Sequence, residues 1–401
     1  MYAPQVYSDK SYSRWFRRRV ASQRILPESL DVVSNAVMVN QGRFGYGVYD
    51  AAGRLVQNSR QIRGRDNQIV HAHMDFPADT PYIDADVMYL GNVYPQFGHF
   101  MLEHMNRAWG LLRPECAGRK VVLINDKHIN PVPEYMYKFI ELMGVPRSDI
   151  IILNETTRFR SVAVPSQSFE IDQWANAVFS SAFEHIAENV KDGSKYEKIY
   201  MSRDALGERR TYGEAAVQRI FEKNGFKIIR PETLSLDKQI ALMKNCKVLA
   251  GCAGTALHMA VFMPRFGTVI QIKRNRVDKD SGPTQELIHR LKDIHGIFIS
   301  GSIESEKTDH STVAPQVIGV TKYMRQFFDD NGFSYDASDL IPDSGELAEY
   351  AAARRAYRAR FGSVRFNKFK HMMIKLSACT IPGRERRGRY RAYMNKLLKV
   401  S

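Results

Sequence analysis

The sequence predicts an α/β protein made of two Rossmann-like halves, and three observations predict it. From residue 87 onward, short apolar runs alternate with helix-patterned stretches, the order that calls for a parallel sheet covered on both faces. The alternation pauses at Lys191-Asp-Gly-Ser-Lys195, the best linker in the chain, and then restarts. Two later runs, 198–201 and 247–250, each end in a loop that leads into a helix. Both loops are therefore expected at the carboxyl ends of neighbouring parallel strands, where such sheets bind ligands.

The elements follow in order. Residues 1–80 read as a basic arm and a β-hairpin, with Phe44-Gly-Tyr-Gly-Val-Tyr49, the turn Asp50-Ala-Ala-Gly53, and Arg54-Leu-Val-Gln57. The first half, 81–190, is expected to hold strands at 87–90, 120–124 and 150–153, with 162–164 extending the sheet. Its helices are expected at 99–112, at 133–143 before Gly144, and at 173–190. The second half, 191–300, has strands at 198–201, 226–229, 247–250 and 268–272. One helix starts at Thr211, capped by a Thr211–Glu214 box and stopped by Gly225; a second spans 235–244, and a third follows Gly251 and ends near Pro264. An amphipathic helix is read at 284–294, residues 301–345 form an extension, and 346–401 are a basic helical tail.

Three groups of residues could carry chemistry. Ser202, Arg203 and Arg209 lie in the basic loop after 198–201, and guanidinium groups there match diphosphate oxygens bidentately. Gly251, Gly254 and Thr255 form the second loop, where backbone amides and a hydroxyl at a helix start suit phosphate or ribose oxygens. His99, Glu103 and Arg107 are spaced i, i+4, i+8 and share one helix face. Each has an ordinary alternative: solvated arginines, a plain glycine turn, and an intrahelical Glu103–Arg107 ion pair with His99 as a cap. His99, Glu103 and His104 offer one His–Glu pair at i, i+4 and no third ligand, so no metal site is expected.

The order of Ser202-Arg203, Arg209, the helix from Thr211 to Gly225, Phe226 to Pro231-Glu, Gln239 and Gly251-Cys-Ala-Gly254-Thr255 resembles glycosyltransferase family 61. The resemblance runs from Gly91 to Ile272. Where the family usually carries a His-Gly pair before its small residue, this chain has Cys252-Ala-Gly254-Thr255-Ala. The resemblance implies a GT-B fold, with two Rossmann-like domains facing a cleft. It implies an inverting hexosyl- or pentosyltransferase using a nucleotide sugar, most naturally a UDP-sugar, and a glycan or lipid-linked glycan acceptor. Ser202, Arg203, Arg209, Gln239, Gly251, Gly254 and Thr255 would bind the donor. Glu103 is the preferred catalytic base and His99 the alternative, since an inverting transfer needs one group to take the acceptor's proton. No cofactor is implied. Asp84-Ala-Asp86 matches the D-x-D triplet of other glycosyltransferases, yet it precedes the first strand and reads as a strand edge.

Charge and composition narrow the setting. Of the net +15, residues 346–401 carry +12, from fifteen Lys/Arg against three acids, so the rest is near neutral and no nucleic-acid partner is expected. That tail interleaves its charges with Tyr350, Tyr357, Phe361, Phe366, Phe369, Tyr390 and Tyr393, a mix that docks on anionic lipid or stays solvated. The uncharged stretch 248–263 is shorter than the ~20 apolar residues of a membrane span. Four cysteines without C-x-x-C spacing suggest a reducing compartment, and the N-terminal arginines precede no apolar signal run. A bacterial enzyme of capsular or exopolysaccharide synthesis, cytoplasmic or peripheral at the inner membrane face, fits these expectations. The rivals are a nucleotide-sugar 2-epimerase-like isomerase of the same fold and a non-catalytic polyanion- or lipid-binding protein.

Overall fold

The structure is a computed structural model, and it describes residues 3–40, 46–62, 71–191, 193–207, 210–275, 282–304, 314–361, 374, 377 and 384–397. The chain forms two compact units. The first comprises Met1–Met201, Pro231–Gln271 and Ser281–Phe298; the second comprises Ser202–Arg230, Ile272–Asp280 and Ile299–Ser401.

The first sheet of the first unit runs in the order Tyr46–Tyr49, Leu30–Asn40, Thr157–Pro165, Tyr82–Asn92, Lys120–Ile124, Ile150–Leu153. The last four strands are parallel, but Leu30–Asn40 is antiparallel to both its neighbours. The expected purely parallel sheet is thus a mixed one. Leu30–Asn40 sits in what reads as an arm because its first half alternates poorly, with Val32 exposed and Asn35 at φ 51°. The run at 162–164 joins the sheet as expected, within a nine-residue strand that lies inside it and not at its edge. The side chain of Asn40 donates to the carbonyls of Asn125 and Leu153 (3.3 and 3.1 Å), so the sheet curls round its own apolar core of Met38, Tyr89, Val122, Ile124, Phe159 and Val162. Each such side chain contributes ~1.5–3 kcal/mol through burial.

The expected hairpin turn forms at Asp50–Gly53, where Asp50 N–H donates to Arg54 O and Gly53 N–H to Asp50 O, both at 2.9 Å. Gly53 has φ +74°, and a Cβ there would lie 2.2 Å from Met74 O, so only glycine fits. Phe44 and Gly45 lie outside the described residues.

The second sheet, within this unit, has the order Gln5–Tyr7, His295–Ser300, Thr268–Lys273, Val248–Cys252, Lys198–Met201. The last two are parallel, with Met201 opposite Gly251. A Cβ on Gly251 would lie 2.8 Å from Met201 O, which explains the glycine before any ligand does. A chain of rings joins the two sheets' helices: Phe97 to Phe139 at 5.8 Å, Phe139 to Phe183 at 6.4 Å, and Phe183 to Phe262 at 5.4 Å. These rings come from residues 97–99, Glu134–Leu142, Val178–Glu188 and Thr255–Phe262. They hold the segment after one sheet against the turn after the other.

In the second unit the expected Thr211–Glu214 capping box does not form. Thr211–Tyr212 is a short strand paired with Gln316–Val317, and the helix Glu214–Lys223 starts after Gly213 at φ +74°. Glu214 Oε2 instead accepts from Arg203 N–H at 2.9 Å. The start of the tail is a helix, Ser344–Phe361, held on this unit by Arg210 ion pairs to Glu346 (2.9 Å) and Glu349 (2.6 Å) and by burial of Tyr357. A further helix spans Arg384–Leu397, while Phe366 and Phe369 lie outside the described residues. Among the described residues no helix is long and apolar enough to cross a membrane, and Cys116, Cys246 and Cys252 are buried free thiols.

Candidate active site

The helix expected at 99–112 is present and begins at Phe97, but it is irregular. A single α turn, Phe97–His99, passes into a π-helix, Phe100–His104, and then a 3₁₀ helix, Met105–Leu112. A π turn is rare and is found chiefly where a site needs side chains re-aimed. Here it sits just beyond the carboxyl end of the parallel strand Tyr82–Asn92.

The residues of this turn each meet a different partner. His99 Nδ1 and Glu103 Oε2 are in direct hydrogen-bonding contact. The Glu103 side chain is 6% exposed and that of His99 is 31% exposed, so the imidazole is the member open to a substrate. An ionised carboxylate can only accept, which puts the proton on His99 Nδ1 and leaves Nε2 as the lone-pair atom. His104 Nδ1 accepts from Asn92 N–H at 3.1 Å, and Asn92 Nδ2 donates to Asp126 Oδ1 at 3.1 Å. The Tyr94 ring lies 5.4 Å from His99 and 5.5 Å from His104, with the Lys127 ammonium 3.7 Å from its centroid. Burial holds the Tyr46 hydroxyl well above its ordinary pKa, reinforced by Tyr89, Asp126 and Glu103 and opposed by Arg107, so Tyr46 stays protonated beside these acids.

Arg107 makes no ion pair with Glu103. Its guanidinium is fully buried and donates to Pro165 O (3.1 Å), Gln61 Oε1 (3.2 Å), Asn58 O (3.1 Å) and Arg60 O (2.8 Å). Gln61 in turn donates to Glu103 O at 3.0 Å. Arg107 therefore pins the π turn to the hairpin region and not to its own helix face.

The second loop arrives against this turn. Gly254 precedes the 3₁₀ helix Thr255–Phe262, in which positions i and i+3 eclipse, so Thr255 and His258 share a face. A Cβ on Gly98 would lie 2.6 Å from Thr255 Oγ1, which measures how closely the two loops approach. His258 Nδ1 meets Gln285 Oε1 at 2.8 Å. His258 is pushed down to about 4, chiefly by burial; the Gln285 hydrogen bond opposes this, and positive charge on His99 or His289 adds to it.

That shift makes a stability prediction. As pH falls below the unfolded value near ~6.5, the unfolded chain takes up a proton that folded His258 refuses until about 4. The stability of the wild type relative to His258→Gln should therefore decline by up to roughly 3 kcal/mol between pH 7 and 4. Urea midpoints of both proteins at several pH values check it, and a constant difference would contradict it.

The remaining sequence candidates are placed as follows. Ser202 is buried, and its Oγ accepts from Asp204 N–H (3.1 Å) and Gln218 Nε2 (2.9 Å), which shapes the loop. Arg203 is buried in the second unit. Arg209 lies outside the described residues. Gln239 Nε2 donates to Pro231 O and Leu234 O, both at 3.0 Å, stapling the turn before its helix. Asp84 and Asp86 both bind Arg160, Asp86 through Nε at 3.0 Å and Nη2 at 2.7 Å, in the strand half remote from Asn92. Sequence reasoning passed over Asn92, Tyr94, Asp126 and Lys127, although Asn125-Asp126 directly follows an apolar run and strand ends of that kind carry sites.

A His–carboxylate pair beyond a parallel strand end, with a glycine loop from a second sheet packed on it, is a layout suited to proton transfer in an α/β enzyme. The sequence model of the family described as Glycosyltransferase 61 matches residues 97–270. This segment, which holds His99, Glu103, Thr255 and His258, is similar to glycosyltransferase family 61, and the match supports glycosyltransferase activity. No curated protein matches the chain.

Proposed function

We propose that the chain is an inverting glycosyltransferase that moves a hexosyl or pentosyl unit from a nucleotide sugar, a UDP-sugar in the first instance, to a glycan or lipid-linked glycan. The single observation that carries this reading is the His99–Glu103 contact, with the adjoining Gly98 closed against Thr255 and His258 within electrostatic reach of His99. In a single displacement the acceptor hydroxyl oxygen attacks the anomeric carbon as the bond to the diphosphate breaks. His99 Nε2 takes the hydroxyl proton, and Glu103 holds the ring through Nδ1 and stabilises the imidazolium that forms. The greater exposure of His99 favours it over Glu103 as the base, the reverse of the order preferred from sequence. In the GT-B arrangement proposed here, residues 81–190 serve the acceptor and 191–300 the donor.

Arg203 and Arg209, with the loop that Ser202 shapes, are the proposed diphosphate ligands. Arg203→Ala should weaken nucleoside-diphosphate binding by ~1.5–3 kcal/mol, the range for charged hydrogen bonds. Calorimetric affinity unchanged by that substitution would remove this loop from the donor site. A thermal-shift screen over nucleotide sugars tests the function itself: at least one should stabilise the wild type, and none doing so would contradict the reading.

Work at the inner membrane face, in capsular or exopolysaccharide synthesis, is part of the same proposal. Residues 362–401 carry eleven Lys/Arg and one acid beyond the helix docked on the second unit. Ending the chain at residue 361 should release it from anionic vesicles at low salt while uncharged vesicles show no binding in either form. Equal binding of anionic vesicles by both forms would rule the tail out.

A further inference from the structure

The helix Gly282–Lys292 reads as amphipathic but is buried almost all round, and it brings three polar side chains into the core: Gln285, Glu286 and His289 are 0–2% exposed. Burying a carboxylate, an amide and an imidazole together is costly unless each is bonded. They are bonded in a row. Gln285 Nε2 lies 3.0 Å from Leu257 O, which only an N–H can meet, so the amide orientation is settled and Oε1 is the atom facing His258 Nδ1 at 2.8 Å. That oxygen can only accept, so His258 carries its proton on Nδ1. The same Nε2 meets His289 Nε2 at 3.1 Å, which makes that ring atom the acceptor and puts the His289 proton on Nδ1, 3.0 Å from Glu286 Oε2. Every bond donates in one direction, from His258 through Gln285 and His289 to Glu286. Gly296, on the neighbouring strand His295–Ser300, leaves the room for this: a Cβ there would come within 2.6 Å of both Glu286 Oε2 and His289 Nδ1.

At the open end of the row, His258 Nε2 makes no hydrogen bond among the described residues and is not among the polar atoms sealed without a partner, so this lone pair reaches solvent. Thr255 Oγ1, one 3₁₀ turn earlier, is likewise left without a hydrogen bond among the described residues and lies beside Gly98, the neighbour of His99 in the chain. A neutral imidazole with an Nε2 lone pair cannot neutralise a phosphate. It recognises a hydroxyl that donates to it.

We infer that Gln285, His289 and Glu286 are positioning residues that lock His258 as the Nδ1–H tautomer, so that His258 Nε2 and Thr255 Oγ1 together bind one hydroxyl group of the transferred sugar. This rests on the glycosyltransferase reading for its ligand, though not for the tautomer. The site thereby selects a sugar carrying a hydroxyl at one ring position. A pocket built to bond a hydroxyl rejects the analogue lacking it far more strongly than an apolar pocket rejects a misfit.

Two arms test it separately. Nitrogen-15 imidazole spectra of the free protein at pH 7 should show His258 neutral with Nδ1 protonated. Gln285→Met should abolish that preference, and Gln285→Glu, which keeps the acceptor, should restore it. An Nε2–H tautomer in the wild type, or a tautomer indifferent to Gln285→Met in a folded variant, overturns the relay. If Gln285→Met does not fold, Gln285→Glu and the wild-type spectrum still decide.

In the second arm, the nucleotide sugar that the wild type turns over is compared with its monodeoxy analogues. One analogue should lose at least ~10²-fold in kcat/KM on the wild type. His258→Ala should slow the parent sugar by a similar factor while leaving that analogue unchanged. Equal losses for the parent and every analogue overturn the hydroxyl assignment. If no nucleotide sugar is turned over at all, the transfer reading falls together with the hydroxyl ligand, and the spectra alone decide the relay.

Discussion

His99→Ala should lower turnover by ~10²–10⁴-fold while leaving nucleoside-diphosphate affinity near wild type. The effect is large because the substitution removes the proton acceptor, and neither Glu103 nor His258 replaces it. Glu103 is 6% exposed and holds the ring from behind, while His258 binds its proton only near pH 4. Glu103→Gln keeps the shape of the pair and removes the charge that stabilises an imidazolium, so its turnover should fall less than that of His99→Ala. If Glu103→Gln instead falls as far and His99→Ala stays active, the roles are exchanged and the order preferred from sequence is right. The comparison of kcat with binding separates both cases from a general loss of structure.

Arg107→Ala should be the most destabilising single substitution near the site, costing more than ~4 kcal/mol in urea unfolding. It strips the partner from Pro165 O, Asn58 O, Arg60 O and Gln61 Oε1 at once, all around a fully buried side chain. It also removes a guanidinium whose carbon lies 5.2 Å from the Tyr89 ring centroid. Each orphaned buried acceptor costs ~1–3 kcal/mol, less whatever water recovers by entering the cavity. Arg107→Lys keeps the charge but cannot span four acceptors on two sides, so most of the loss should remain. A loss under ~1 kcal/mol in Arg107→Ala would mean that the hairpin region and the π turn do not depend on this anchor.

Much of this fold is written locally. The apolar runs at 120–124 and 150–153 and the helix before Gly144 need only their own pattern, and they stand where expected. The contact of His99 with Glu103 follows from i, i+4 spacing and survives the widening of the turn. What could not be read depends on partners distant in sequence. Leu30–Asn40 becomes a strand because Thr157–Pro165 pairs with it, not because its own alternation demands it. Thr211 and Glu214 carry a capping signature, but Glu214 is taken by Arg203 N–H and Gly213 supplies the turn. Arg107 looks like a salt-bridge partner for Glu103 until carbonyls from residues 58, 60 and 165 surround it. The polar row behind His258 comes from a helix whose burial no period in its own sequence announces, and it lies beyond residue 270, where the family match ends.

The most direct measurement of the central claim, that the cluster of His99, Glu103, Thr255 and His258 performs glycosyl transfer, is release of nucleoside diphosphate from a panel of nucleotide sugars in the presence of a glycan acceptor. It is to be read side by side for the wild type and His99→Ala, with donor-induced thermal shifts recorded on both. The wild type should release nucleoside diphosphate from at least one donor, and His99→Ala should release it at least ~10²-fold more slowly while the same donor still stabilises it. Equal release by the two proteins would contradict the claim and place the reacting centre elsewhere in the chain.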